Sequence, residues 1–453
     1  MTDSRFKRGA LVVAAIAALH GILYIPLVHR HSTTDTDAYV ATARAIEHGS
    51  YTTPLRAGLY YTYPVGFFDL TGVKIPRSLF QAPERQAFRT PGYPLLLAAI
   101  GNGGPGFARH VALVVQALLL GLATWLLALT VRRWWTPTAG LAAAALYALD
   151  PYSKHYVTLV VTETLAAVLA VAAAYTFTRA WQARDPWWWT TTGALAAALT
   201  LVRPVFVLLV PFVALAALVR SLPRWRAVLG VVTVSALLLG PWLTWTNHVT
   251  GRPVLTNWGE GFNLLLAAHG ERLGHNAAEI ERDPSFLRDF AAPRRFAPSA
   301  AELRSDPYAH PRYLERADRE LRTRARELYR ERLADDPLQV VWENAYRNYF
   351  LWSTHHDWYQ PHGAALVLLQ VVDWILIALA LWGIVLAIVR GGAPRWVAVY
   401  LLVYSVTLST HHVEARFSIP LRGLFLAYVV LGASTLVRKT QIQNGRVPVA
   451  PTE

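Results

Sequence analysis

The chain contains no cysteine, which excludes disulfides, thiolate zinc sites and cysteine nucleophiles. Lysine is almost missing as well. Of 43 basic residues only Lys7, Lys74, Lys154 and Lys439 are lysines, and the rest are arginines. A nucleic-acid surface would gather its cations, whereas the net charge of +14 is spread along the chain. The arginine and alanine excess reads instead as the imprint of a GC-rich coding bias. Charged residues make up 16% of the chain against 54% hydrophobic, too apolar a balance for an ordinary soluble protein. Neither an internal repeat nor a long low-complexity linker is visible.

What the chain has in quantity is apolar runs of about 20 residues, the length a bilayer demands of a helix. Candidate spans cover 10–28, 110–131, 137–150, 156–178, 188–202, 204–219, 227–247, 364–389, 396–410 and 419–437. The first follows Arg5, Lys7 and Arg8, and His29-Arg30-His31 after it offers no small-residue cleavage site, so it reads as an uncleaved span. Alternate connections are basic: Arg132-Arg133, Arg179 with Arg184, Arg220 with Arg224 and Arg226, Arg390 with Arg395, and Arg438-Lys439. With ten spans these all fall on one side, which the positive-inside rule makes cytoplasmic together with both termini.

The expected fold is an all-α polytopic membrane protein of about ten transmembrane helices with two large exterior loops. A first transmembrane helix (1–28) leads into an exterior loop (29–107), then helices two to seven (108–247). A second exterior loop with a helical subdomain (248–363) precedes the last three helices (364–437) and a cytoplasmic tail (438–453). That subdomain contains an expected solvated helix from Tyr313 to Leu333, with Leu314, Ala317, Leu321 and Leu328 on one stripe. Its Glu315/Arg319 and Glu320/Arg324 pairs have the favourable order.

The acidic pair Asp35 and Asp37 follows the first span and so faces outward, where either carboxylate is a candidate general base. Other polar residues fall on the same face: Arg89, Asp150, Lys154, His155, Glu163, Arg203, His411, His412, Glu414 and Arg416. Ionisable side chains at membrane depth are functional hypotheses by default. Arg422 reads instead as a side chain snorkelling to headgroups. Arginine forks match phosphate oxygens, and a carboxylate can activate a hydroxyl nucleophile. Arg89, Lys154, Arg203, His411, His412 and Arg416 are therefore the candidate contacts to a donor phosphate. Tyr39, Tyr93, Asp150, Glu163 and Glu414 are candidate substrate contacts.

Here the residues reach a family. Asp35-x-x-x-Tyr39 followed by Ala43-Arg44-Ala45-Ile46-Glu47-His48-Gly49, and above all Arg89-Thr90-Pro91-Gly92-Tyr93-Pro94-Leu95, carry the likeness. Thr162-Glu163-Thr164, Arg203-Pro204, Pro241-Trp242, Gly259-Glu260-Gly261-Phe262-Asn263 and Glu414-Ala415-Arg416-Phe417-Ser418-Ile419-Pro420 follow in order. The chain resembles the GT-C superfamily of integral membrane glycosyltransferases, in the branch of bacterial protein O-mannosyltransferase relatives and lipid A aminoarabinose transferase. The resemblance implies a GT-C-like bundle, a polyprenyl-phosphate-linked sugar donor, an exterior active site and inversion at the anomeric carbon. By the Tyr39 register it implies Asp35 as base, although Thr36 here splits an acid pair that relatives keep adjacent. Thr246-Asn247 replaces the usual Arg-Asn after Pro-Trp, so no phosphate role carries over there.

A lipid or sugar transporter or flippase is the alternative from another class, but the inverted repeats of many transporters are not visible. The resemblance leaves room for a divalent metal. His29, His31, His355, His356, His411 and His412 show no His-x-x-x-His ligand spacing and read as interfacial or phosphate-contact residues. Tyr60, Tyr61, Tyr63, Phe67 and Phe68 are expected to anchor the first loop or to stack on an acceptor. Expected partners are the lipid-linked donor, membrane lipids and a glycan, lipid or protein acceptor, with no nucleic acid.

Overall fold

The apolar runs become helices whose ends are set by ordinary capping chemistry. A computed structural model describes residues 1–28, 33–54, 83–85, 87–101, 107–220, 224–270, 283–353 and 364–443. Its helices are α1 (Asp3–Tyr24), α2 (Thr34–Glu47), α3 (Gly92–Ala99), α4 (Phe107–Trp134), α5 (Pro137–Leu149) and α6 (Pro151–Val157). They continue with α7 (Glu163–Ala183), α8 (Pro186–Val202), α9 (Leu209–Arg220), α10 (Arg224–Thr250), α11 (Glu260–Ala268) and α12 (Pro284–Ala291). The rest are α13 (Ala300–Ser305), α14 (Ala309–Asp335), α15 (Pro337–Trp352), α16 (Ala364–Arg390), α17 (Gly392–Ser409) and α18 (Ile419–Gln443). One departure from an all-α chain is a short antiparallel pair, β1 (Thr52–Pro54) with β2 (Pro83–Arg85).

Each expected span lies on a helix, and among the described residues six helices are long and apolar enough to cross a membrane. Helix α5 and the Pro204–Arg220 segment are shorter apolar helices. The fourth expected span begins later than hydropathy suggests. Residues 158–162 form a turn, so Glu163 is the first residue of α7 rather than a charge inside it.

Helix α1 runs along α4, α8 packs against both α7 and α10, and α16 lies against α18. Asp3 pairs with Lys7 and with Arg132, which puts the N-terminus and the basic end of α4 at one end of the bundle. The connections that carry Asp35, Arg89, Arg203 and Arg416 lie at the other.

The segment between α10 and α16 has its own apolar core of Trp258, Leu264, Leu265, Phe286, Phe290, Leu314 and Leu321. The stripe expected on one helix is buried there on α14, against α11 and α12. The expected Glu320–Arg324 pair does not form. Glu320 instead accepts from Arg295 at 2.7 Å, and Arg324 turns to Asp289 at 3.1 Å. Exposed i,i+4 pairs contribute only about 0.3–0.5 kcal/mol, so tertiary partners readily win.

This segment is laced to the one between α2 and α3. Buried Glu84 pairs with buried His310 at 3.0 Å, Arg85 N–H donates to Pro307, and Asn257 N–H donates to the carbonyl of Ala87. Below them, Gly259 (φ +109°) and Gly261 both donate backbone N–H groups to Asp318, at 2.9 and 2.8 Å.

Candidate active site

Helix α2 starts with a capping box between Thr33 and Thr36. Thr36 is fully buried and donates its hydroxyl to the carbonyl of Val160 at 3.1 Å. This hook fixes the rotation of α2. Successive helical residues turn by about 100°, so residues two apart point in nearly opposite directions. Asp35 therefore faces the bundle, and Asp37 is exposed. None of the described ion pairs includes Asp37. The threonine that splits the acid pair is what separates the two carboxylates in space.

Arg89 reaches Asp35 because its backbone is held on three sides. Tyr51 donates its hydroxyl to the carbonyl of Arg89 at 2.7 Å, Thr256 donates to the carbonyl of Phe88 at 3.1 Å, and Thr90 donates to that of Val202 at 3.3 Å. Gly92 lies so close to α8 that a Cβ there would meet the Leu201 carbonyl oxygen at 2.8 Å. The Arg-Thr-Pro-Gly motif is thus a docking device, and it brings Arg89 near Arg203 at the end of α8.

The polar cluster forms around Asp35. Its Oδ1 accepts from Arg89 Nη2 at 2.6 Å and its Oδ2 from Arg416 Nη1 at 3.1 Å. Arg416 also grips Glu414 through Nε and Nη2, and His412 Nε2 lies 3.7 Å from Glu414. Arg203 pairs with Glu163 at 2.8 Å and donates to Thr162 at 3.2 Å. The Phe417 ring faces both Arg203 and Arg416, at 5.4 and 5.7 Å. Arg89 lies over the Tyr39 ring at 4.9 Å, and Tyr39 meets Tyr93 edge-on at 5.1 Å.

Three arginines thus face three carboxylates. Burial pushes the Asp35 carboxyl up, but Arg89 and Arg416 together outweigh it and hold the group well below the usual carboxylate range. Its position in the first turn of α2 favours the same charged form. Burial likewise raises Glu414, and Arg416 with His412 brings it down to about 2. Each carboxylate of the cluster is already taken by an arginine. Among the described residues no group of three His, Asp or Glu side chains is disposed to hold a metal.

Asp35, Tyr39, Arg89, Glu163, Arg203, His412, Glu414 and Arg416 are therefore brought together, Tyr93 touches them through the Tyr39 ring, and the other candidates lie apart. Asp150 caps α6 by accepting from Ser153 N and Oγ, and it lies 3.5 Å from Arg422. Arg422 does not snorkel. It is 1% exposed and donates to the carbonyl of Trp352 at 2.8 Å. Tyr152 and Tyr156 turn one face of α6 toward Ala415 and Ile419. Lys154, two positions from each, points the other way, toward Asp150 and His20. His155 is half-buried, and the loss of solvation drops its pKa to about 4. His411 is held by the Thr407 carbonyl and Thr410. Tyr93 is fully buried, with its hydroxyl on Gln116 at 2.6 Å. His29, His31, His355 and His356 lie outside the described residues, as do Tyr60, Tyr61, Tyr63, Phe67 and Phe68.

Sequence reasoning missed Gln116, which bridges Tyr93 to the carbonyls of Val157 and Leu159 at 2.9 and 2.7 Å. A lone amide in the apolar run of α4 was the available signal. Thr36 and Phe417 carried no such signal.

Residues 91–245 match the family described as dolichyl-phosphate-mannose-protein mannosyltransferase. No protein of curated function matches the chain at a significant level. Among solved structures, an Archaeoglobus fulgidus oligosaccharyltransferase tethered to an acceptor peptide is 16% identical, with TM-score 0.51, over 96% of this chain and 50% of its own. Oligosaccharyltransferase AglB from Archaeoglobus fulgidus, in complex with an inhibitory peptide and a dolichol-phosphate, is 14% identical, with TM-score 0.51, over 98% of this chain and 52% of its own. The chain spans about half the length of these structures. ArnT from Cupriavidus metallidurans, bound to undecaprenyl phosphate, is 16% identical over 97% of this chain and 81% of its own, but at TM-score 0.37 it carries no weight. By fold the chain is similar to these archaeal oligosaccharyltransferase structures, and across residues 91–245 it matches the family described as dolichyl-phosphate-mannose-protein mannosyltransferase.

Proposed function

We propose that this protein is an inverting glycosyltransferase that moves a sugar from a polyprenyl-phosphate donor to an acceptor hydroxyl. The reading places the reaction on the exterior face of the cell membrane, with both termini in the cytoplasm. The observation that carries it is the Asp35 carboxylate held between Arg89 and Arg416 at the mouth of an apolar bundle. A lipid-linked donor suits such a mouth, since its chain can lie along the helices while its phosphate meets arginine. The family described for residues 91–245 and the dolichol-phosphate named with AglB support the same donor class.

The charge balance suggests how the site works. With three arginines matched by three carboxylates, an entering phosphate must displace a carboxylate from an arginine. Arg416 is the natural point of exchange, because it serves Asp35 and Glu414 at once. Losing one cation raises the proton affinity of Asp35, which in the resting site is too stabilised to be a good base. Asp35 then takes the acceptor proton, the acceptor oxygen bonds to the anomeric carbon from the face opposite the phosphate, and the bond from that carbon to the phosphate oxygen breaks. Polyprenyl phosphate leaves with its new charge on Arg416 and Arg203, with His412 beside them. Asp37, Lys154 and His411 are given no part.

The test is a membrane assay with a panel of radiolabelled polyprenyl-phosphate sugars, hexose and pentose, comparing wild type with Asp35→Asn. Transfer from at least one donor, lost in the variant, is the expected result. Equal transfer by both forms would sink the assignment of the base.

A further inference from the structure

The Gly259-Glu260-Gly261-Phe262-Asn263 motif takes no part in the proposed transfer, yet it lies one contact away from it. Gly259 stands just before α11 and has no side chain with which to cap the helix. The cap comes instead from α14. Asp318 Oδ1 accepts the backbone N–H groups of Gly259 and Gly261 at 2.9 and 2.8 Å. A buried carboxylate from a distant part of the chain thus satisfies donors that a first helical turn leaves open. Both glycines are needed for this approach, since Gly259 has φ +109° and a Cβ on Gly261 would collide with the Asp318 carbonyl oxygen. Asp318 Oδ2 lies 3.3 Å from Arg322 Nε, and Arg322 Nη1 donates to Glu260 at 3.0 Å.

Helix α11 passes this anchor on to the polar cluster. The Asn263 carbonyl accepts the His412 N–H at 2.7 Å. Residues 412–414 have no regular secondary structure, so tertiary contacts such as this one set their path. The same short segment places His412 Nε2 3.7 Å from Glu414 and presents Arg416, which grips Glu414 and reaches Asp35 at 3.1 Å. Tyr329, further along α14, donates its hydroxyl to the Thr410 carbonyl at 2.8 Å. Helix α14 therefore holds the start of the segment directly and its middle through Asp318 and α11.

We infer that Asp318 is a positioning residue of the transfer site. By fixing the start of α11 it fixes, through the Asn263–His412 hydrogen bond, the segment that presents Arg416 to Asp35. The effect on transfer rests on the glycosyltransferase reading, whereas the coupling of Asp318 to the segment does not. Two charged side chains act on Asp318: Arg322 on its own helix and Glu260 on α11. Burial, with Glu260 adding to it, outweighs Arg322 and the two N–H groups and raises the carboxyl to about 7. Above that pH the charged form grips both N–H groups and Arg322. Below it, protonation cancels the attraction to Arg322 and weakens the two charge-assisted hydrogen bonds. Transfer should therefore decline as pH falls through about 7.

The experiment measures initial rates of sugar transfer in membranes on both sides of neutral pH for wild type, Asp318→Asn and Arg322→Met, with Asp35→Asn as the inactive reference. In parallel, hydrogen–deuterium exchange is followed on the full chain in detergent, above all at the His412 amide. Asp318→Asn keeps an oxygen for both N–H groups but carries no charge. It should lower kcat by about tenfold or more, leave the KM for acceptor little changed and lose the decline near neutral pH. Exchange at His412 should quicken while the melting temperature stays close to that of wild type. Arg322→Met should move the decline to higher pH, which a merely structural Asp318 would not produce. The inference is overturned if Asp318→Asn keeps the wild-type kcat and pH profile, or if its exchange at His412 is unchanged. Should Asp318→Asn fail to fold, coincident pH profiles of wild type and Arg322→Met overturn it. If wild type transfers no sugar but exchange still quickens in Asp318→Asn, the glycosyltransferase reading falls and the coupling stands.

Discussion

Asp35 and Arg416 are separated by 381 residues of chain, and their side chains meet at 3.1 Å. Arg89 closes the other side of the same carboxylate at 2.6 Å. The resting Asp35 is therefore a clamped anion, and in the proposed reaction donor binding loosens the clamp before the carboxylate accepts a proton.

The two acids of α2 should separate cleanly by mutation. Asp35→Asn is expected to lower the transfer rate by about 10²–10⁴-fold, the range of a lost general base. Asp37→Asn should stay near wild type, because its side chain is exposed and turned away from the cluster. Single-turnover transfer in membranes reads both.

Arg416 should not tolerate lysine. Its guanidinium contacts Asp35 and grips Glu414 through two nitrogens, which a point charge on a flexible stem cannot reproduce. Arg416→Lys and Arg416→Ala are both expected to lose transfer. Arg203→Lys, with one described ion pair to satisfy, should keep more of it. Initial rates at saturating donor would show the difference.

The pH response follows from the sign of the carboxylate shifts. Asp35 and Glu414 are both held below their unfolded values. Their ion pairs therefore contribute stability that is present above about pH 4, the unfolded carboxylate range, and lost as pH falls through the folded values. For Glu414 the loss runs down to about 2. Melting temperature of the reconstituted protein should show no pH dependence from these groups between about pH 5 and 8, where their contribution is constant. Arg89→Met should raise the Asp35 value and bring the acid loss to higher pH.

Arg422→Met leaves the buried Asp150 with its Ser153 contacts and without its ion-pair partner, Lys154 being the remaining cation nearby. Breaking one side of a buried pair costs about 3–5 kcal/mol. The double variant Asp150→Asn/Arg422→Met should recover part of that loss. Thermal unfolding in detergent checks both, and equal instability of single and double variants would deny the coupling.

Gly92→Ala touches no polar residue of the cluster, but its Cβ would press on the Leu201 carbonyl oxygen. The motif must then shift, and Arg89 with it. Misplacement by about 1 Å can cost about 10²-fold in rate. Transfer should fall while helix content by circular dichroism stays unchanged.

Much of the site was legible in the chain. Asp35, Arg89, Arg203, Glu414 and Arg416 stand out because charges beside apolar runs are rare and positions at span ends are countable. Asp150 and Lys154 stood out for the same reason, yet a carboxylate three residues before Ser153 serves a helix cap, and Lys154 faces away from the cluster. Charge near a membrane marks a residue without saying which way it points.

Composition and periodicity alone determined that this is a helical membrane protein with polar loops, since lipid rejects unpaired backbone groups and apolar runs declare their own length. The order of the motifs carried the family likeness. Only the tertiary structure decided which carboxylate meets the arginines. That choice depends on the rotation of α2 about its axis, set by the buried hydrogen bond from Thr36 to Val160, and on the lacing that delivers Arg89. Both are contacts between segments far apart in the chain, and no local pattern specifies them.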